Sequence, residues 1–118
     1  MAVLSDRTQF TRRVLRAVCR VRSGHVATYG DIAAAAGRPR AWRAVGNILR
    51  DCAARDVPCH RVIAAGGKLG GYGHSPHLKA ALLRAEGVIV RGNRVKDWRD
   101  RRLAIPKSSP ARRTGERG

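Results

Sequence analysis

"TYGDIAAAAGRPRAWRAVGNILRDCAA" (residues 28–54) is the stretch on which the fold turns. Thr28 and Asp31 have the spacing of a capping box, which predicts a helix over 29–37. Gly37 followed by Pro39 ends it. A second helix is expected over 39–54, with Pro39 in its first turn, where a missing N–H costs little. Two short helices joined by a tight Gly-containing turn, the second carrying Arg40, Arg43 and Arg50, read as a helix-turn-helix. A packing hairpin with a solvated Arg face has the same pattern, so the flanking segments must decide.

Upstream, "DRTQFTRRVLRAVCRVR" (6–22) places Phe10, Val14, Leu15, Val18 and Val21 at helical spacing, with Asp6 or Thr8 as a cap. "SGHVATYG" (23–30) is a turn and a short extended piece. Downstream, "HRVIAAGGKLGGYG" (60–73) predicts a strand, a Gly turn and a glycine-rich loop. "SPHLKAALLRAEG" (75–87) predicts an amphipathic helix that buries Leu78, Leu82 and Leu83 and ends at Gly87. "VIVRGNRVKDW" (88–98) predicts a hairpin closed by Gly92-Asn93. The fold class is therefore mainly α with short β-hairpins. Residues 1–99 form the expected domain. From Asp100 the chain reads "DRRLAIPKSSPARRTGERG", a basic tail expected to stay disordered (100–118).

With 118 residues there is room for one modest core. Only five residues are Phe, Trp or Tyr, so that core must rest on Ala, Val, Leu and Ile. Lys plus Arg number 25 against 8 Asp plus Glu, a formal +17. Charge on this scale favours a polyanionic partner through counterion release, nucleic acid first. A membrane surface is disfavoured, because no helix pairs a large apolar face with the basic residues. Arg used only as a surface solubiliser is the bland alternative. Cys19, Cys52 and Cys59 are odd in number and irregular in spacing, which suggests no disulfide framework. Cys19 is expected in the core; Cys52 could be core or a second reactive thiol. No apolar leader or bilayer-length segment is visible, so a reducing cytoplasm is expected.

"DVPCHRVIAAGG" (56–67) sets a thiol beside an imidazole. Cys59-His60 and His74-x-x-His77 lack the paired spacing of a structural zinc site, so no metal is expected. A nucleophile fits better: a thiol needs a depressed pKa or an adjacent base, and a base needs an orienting partner. Glu86, at the end of an apolar helix in an acid-poor chain, is the candidate carboxylate. A small buried thiol, an ordinary polar His and a surface Glu explain the same spacing equally well.

At this point the residues resemble a known family. "PCHRV" is similar to the active-site signature of the O6-alkylguanine-DNA alkyltransferases, also called methylated-DNA–protein-cysteine methyltransferases. "GHVATYGDIAAAAG", "RAVGN", "GGYG" and "KAALLRAEG" resemble further family segments in the right order, from about Phe10 to Val90. The resemblance implies the C-terminal DNA-binding and catalytic domain, a winged helix-turn-helix-like fold entering the minor groove. Cys59 would be the alkyl acceptor, His60 the base acting through a water, and Glu86 the group orienting His60. Tyr29 would crowd the phosphate, assist flipping and protonate the departing guanine. Arg43 would be the finger entering the stack. Arg40, Ala44 and Gly46 would join it in contacting DNA. Tyr72 and Gly73 would cover the guanine pocket, with Val62 contributing backbone contacts. The partner would be double-stranded DNA containing O6-alkylguanine, with the protein a monomer that needs no cofactor.

Two departures matter. Family members usually carry Asn-Pro upstream of Pro-Cys-His. Here Cys52 and Ala53 stand about there, one residue short, with Asp51 or Asp56 as substitute turn acceptors. The usual N-terminal domain is also missing from this sequence. Both point to a second reading. The alkyltransferase-like proteins flip alkylated guanine without transfer and hand it to nucleotide excision repair. Retention of Cys59, His60 and Glu86 favours the transferase. A sequence-specific winged-helix regulator is the third reading. It leaves the Cys-His-Glu set unexplained.

Overall fold

The computed structural model describes residues 5–52, 56–70, 76–103 and 105. Its elements run α1 (Asp6–Cys19), β1 (Ala27–Thr28), α2 (Tyr29–Ala35), α3 (Trp42–Asp51), β2 (Val62–Ile63), α4 (Pro76–Ala85), β3 (Val90–Arg91), β4 (Arg94–Val95) and α5 (Trp98–Arg101). Single 3₁₀ turns at Cys59–Arg61 and Ala65–Gly67 flank β2. The mainly helical class holds, with one correction. Among the described residues one strand pair, β3–β4, is a hairpin. The other pair, β1–β2, is parallel, with Ala27 opposite Val62 and Thr28 opposite Ile63.

The helix ends follow from local chemistry. Ser5, rather than Asp6 or Thr8, caps α1; its hydroxyl accepts from the Thr8 amide at 3.1 Å. Thr28 caps α2 as read: the Asp31 amide donates to its Oγ1 at 3.0 Å, and the Thr28 amide donates to Asp31 Oδ2 at 3.0 Å. Gly37 at φ +93 then turns the chain, and the Arg38 amide closes back on the Ala33 carbonyl at 2.9 Å. Pro39 lies in this turn and not in α3, which starts at Trp42 with no side-chain cap.

The β1–β2 pair is a partition between two cores. Successive strand residues point to opposite faces. Ala27 and Val62 join Phe10, Val14, Val18, Ile32, Val45 and Leu49 from α1, α2 and α3. Val26 and Ile63 join Leu69, Leu83, Val88, Val90 and Val95 around α4 and the hairpin. At about 25 cal/mol per Å² these two apolar clusters supply most of the folding drive.

Two expectations about burial change. In α4, Leu83 is fully buried and Leu82 partly so, but Leu78 is 43% exposed. The buried face instead includes Lys79, at 0% exposure. Cys19 is exposed rather than core.

The chain also keeps packing beyond residue 99. The Val26 amide donates to the Arg101 carbonyl, and the Leu103 amide to the Val26 carbonyl, both at 2.9 Å. Arg102 Nε donates to Asp31 Oδ2 at 2.9 Å, so the expected boundary at 99 falls too early. Residues 104 and 106–118 of the expected tail lie outside the described residues.

Candidate active site and nucleic-acid interface

Cys59 sits where the two cores meet. The 3₁₀ turn lifts it just ahead of β2; the Cys59 amide donates to the Val57 carbonyl at 2.8 Å and the Arg61 amide to the Pro58 carbonyl at 3.0 Å. Its side chain is 8% exposed. Burial, then the neighbouring Cys52, push the thiol up to about 12. Of the two ways to activate a thiol, this upward direction favours an adjacent base over a depressed pKa.

The following residue supplies an imidazole held by a carboxylate. His60 Nε2 lies 3.0 Å from Glu86 Oε2. Glu86 also accepts from Arg61 Nε at 3.0 Å and from the Arg61 guanidinium NH2 at 2.6 Å. Arg61 is itself anchored, donating through NH1 to the Val21 carbonyl at 2.8 Å. Arg61 first, and His60 second, hold the Glu86 carboxyl below the usual carboxylate range. An ionised carboxylate only accepts, so His60 Nε2 carries the hydrogen in this pair. In the neutral imidazole that leaves Nδ1 as the acceptor.

Two residues that the sequence reading passed over belong here. Arg61 is one, although it stands inside the quoted "PCHRV". Lys79 is the other. Its Nζ donates to the Val62 carbonyl at 2.6 Å and lies 5.7 Å from the centre of the Tyr29 ring. Burial pulls Lys79 down to about 8, and the charge of Cys59 acts in the opposite direction. Residues 79, 83 and 86 share one helical face, the face that carries Leu83 and Glu86 inward.

Tyr29 opens α2 and is half-buried. Burial and the neighbouring Cys59 raise its hydroxyl pKa, so it stays protonated at neutral pH. Gly70, at φ +74, lies against the ring; a Cβ there would stand 3.1 Å from the Tyr29 hydroxyl. Val62 is fully buried, its amide donating to the Cys59 carbonyl and its carbonyl accepting from Lys79 Nζ. Tyr72 and Gly73 lie outside the described residues. The structure thus gathers Cys59, Tyr29 and Lys79 on one side and His60, Arg61 and Glu86 on the other, joined by the single turn at 59–61. Among the described residues no cluster of three His, Cys, Asp or Glu could hold a metal.

The remaining candidates lie elsewhere, on the surface. Arg43 and Ala44 are exposed in the first turn of α3, and Arg40 is exposed in the turn before it. Gly46 is half-buried, and a Cβ there would meet nothing within 4 Å. Among the described residues no carboxylate pairs with Arg38, Arg40 or Arg43. An uncapped helix start bordered by unpaired guanidinium groups suits an anionic polymer. No helix among the described residues is long and apolar enough to cross a membrane.

Comparisons with known proteins place the chain in a family. A methylated-DNA–protein-cysteine methyltransferase of Methanosarcina barkeri is 44% identical over 85 residues, covering 71% of this chain and 54% of that protein. One from Mycobacterium tuberculosis is 46% identical over 80 residues, covering 67% and 48%. The chain thus spans about half the length of the curated relatives it matches. Among solved structures, S. pombe Atl1 in complex with damaged DNA containing O6-carboxymethylguanine superposes with a TM-score of 0.74 at 28% identity, covering 87% of this chain and 98% of that one. Mycobacterium tuberculosis OGT in complex with DNA gives 0.64 at 43% identity, covering 72% and 51%. The family described as "6-O-methylguanine DNA methyltransferase, DNA binding domain" matches residues 9–88, and the chain belongs to that family.

Proposed function

We propose that this protein repairs alkylated DNA by moving the alkyl group of O6-alkylguanine onto its own Cys59. The observation that carries the reading is the pairing of His60 with Glu86 at 3.0 Å, His60 being the residue that follows the buried Cys59 in the chain. A base lesion inside a duplex must leave the stack before its alkyl carbon can be reached. Tyr29, Arg40, Arg43, Ala44 and Gly46 form the DNA-binding set, with Arg43 filling the space the flipped base vacates. His60, through a water, takes the Cys59 proton. The sulfur attacks the alkyl carbon as the carbon–O6 bond breaks, and the electron pair leaves with guanine. Tyr29 delivers a proton to the departing base. The net change is one thiol and one O6-alkylguanine converted to one thioether and one guanine. No step regenerates the thiol, so each molecule acts once, without a cofactor. The Val62 backbone, Tyr72 and Gly73 would border the base.

The measurement is intact-protein mass after incubation with a duplex containing one O6-methylguanine, followed by peptide mapping. One methyl on Cys59 supports the transferase. Unchanged mass overturns it.

A second reading has its own observation. The superposition on Atl1 bound to DNA carrying O6-carboxymethylguanine has a TM-score of 0.74, against 0.64 for Mycobacterium tuberculosis OGT. A lesion sensor that recruits nucleotide excision repair would bind the same duplex selectively with no change in mass. Cys59, His60 and Glu86 together favour transfer.

A further inference from the structure

Trp42 is the first residue of α3 and is 49% exposed. The other described aromatic residues are packed. Phe10 is buried in the helical core, Tyr29 lies against Gly70, and Trp98 sits directly on Gly67. Leaving half an indole in water forgoes burial that aromatic side chains ordinarily contribute. Its surroundings explain what it waits for. The Arg43 guanidinium lies over the Trp42 ring, 5.1 Å from its centre, and Arg38 and Arg40 stand just upstream in the chain. A planar, hydrophobic surface inside a cationic patch matches a nucleobase, whose phosphate brings negative charge and whose ring brings a stacking face. An apolar protein partner would gain nothing from the guanidinium groups.

We infer that Trp42 is a stacking element of the nucleic-acid interface: it takes a nucleobase on its accessible surface while holding Arg43 extended on its own ring. The inference rests on the DNA-repair reading above. In it, Arg43 does not search for its position during flipping. The cation–π contact orders a long side chain in advance, so less rotamer entropy is lost on binding. Trp42 acts partly through Arg43 and is in that respect a positioning residue.

Tryptophan emission reports this contact directly. The wild-type chain, Trp42→Phe and Trp42→Ala are titrated with a duplex carrying one O6-methylguanine and with the matched undamaged duplex. Stacking should quench the wild-type emission. Trp42→Phe, which retains Trp98, should bind but lose that quenching. Trp42→Ala should bind the lesion duplex about tenfold more weakly, the scale of one lost base–aromatic stack, with Phe restoring most of the loss. Equal affinity of wild type and Trp42→Ala, or equal quenching in Trp42→Phe, overturns the role of Trp42 and leaves the repair reading intact. A wild-type chain quenched equally by both duplexes keeps Trp42 as a stacking residue and overturns lesion recognition. Binding to neither duplex overturns both. Should Trp42→Ala melt below the assay temperature, the Phe variant and its quenching decide alone.

Discussion

Around Glu86 the polar groups are tied to one another: His60, Arg61 and the carboxylate form one network, and Arg61 is anchored further to Val21. At the start of α3 the opposite holds, since Arg38, Arg40 and Arg43 have no carboxylate among the described residues. The first arrangement answers a desolvation problem. A charge taken out of water is costly unless paired, and removing one partner leaves the others exposed to that cost. The second arrangement has no such problem, because water solvates the guanidinium groups until a polyanion displaces it. The corner around Glu86 is therefore built for accuracy and the helix start for attraction.

Substitutions at the two regions should separate these roles. The largest effect is expected at Cys59. Cys59→Ser should abolish transfer, read as unchanged mass, while leaving lesion binding within a few-fold. Loss of binding in the folded variant would tie the two regions together and break the contrast. Next comes Glu86→Gln, which keeps the shape and removes the charge. Transfer should slow by about 10²-fold or more, on the scale of losing a general base's support, and the partly buried network should lose about 1–3 kcal/mol. The pH sign follows from the lowered Glu86 carboxyl. Its stabilisation is full above the ordinary carboxylate pKa and fades as pH falls through the lower folded value. Acid titration of the melting temperature should therefore be shallower in Glu86→Gln.

Arg43→Ala should behave as a surface change in melting and as an interface change in binding. A loss of about five- to tenfold is expected for the lesion duplex, and less for matched undamaged DNA. An equal loss at both, with a reduced salt slope, would reduce Arg43 to a generic phosphate contact. The smallest effect concerns Lys79. Its folded pKa near 8 lies below the unfolded value, so the unfolded chain binds more protons and stability rises with pH from about 8 upward. The raised Cys59 thiol acts the other way above its ordinary value of 9.0. The clean window is thus pH 8 to 9, where Lys79→Met should flatten the rise seen by chemical denaturation.

The same contrast explains what could be read in advance. Thr28–Asp31, the Gly37 stop and the Gly92-Asn93 hairpin turn were legible because each is decided within a few residues. Arg40 and Arg43 were legible as exposed charge. Lys79 was not, because a lysine in a helix reads as solvent-facing unless something distant accepts its hydrogen bond, and here the accepting Val62 carbonyl lies 17 positions away. The extended piece within 23–30 and the strand after His60 were legible, but their parallel pairing was not, because each is two residues long and they join across 35 positions. The His60–Glu86 pairing came from family resemblance; spacing alone left it even with an ordinary surface acid. The turn between Cys52 and Cys59 departs from the family's Asn-Pro pattern, and residues 53–55 lie outside the described residues.

The return of Leu103 to Val26 carries a practical consequence. Val26 leads into β1, and its amide and carbonyl are both satisfied by the chain passing through Arg101, Arg102 and Leu103. A chain cut after Arg99 would bare that edge, and an unpaired strand edge is a template for another molecule. Such a shortened protein would retain Cys59 and its basic helix. It would nonetheless be prone to self-association, because the turn through Arg101–Leu103 also covers the edge at Val26.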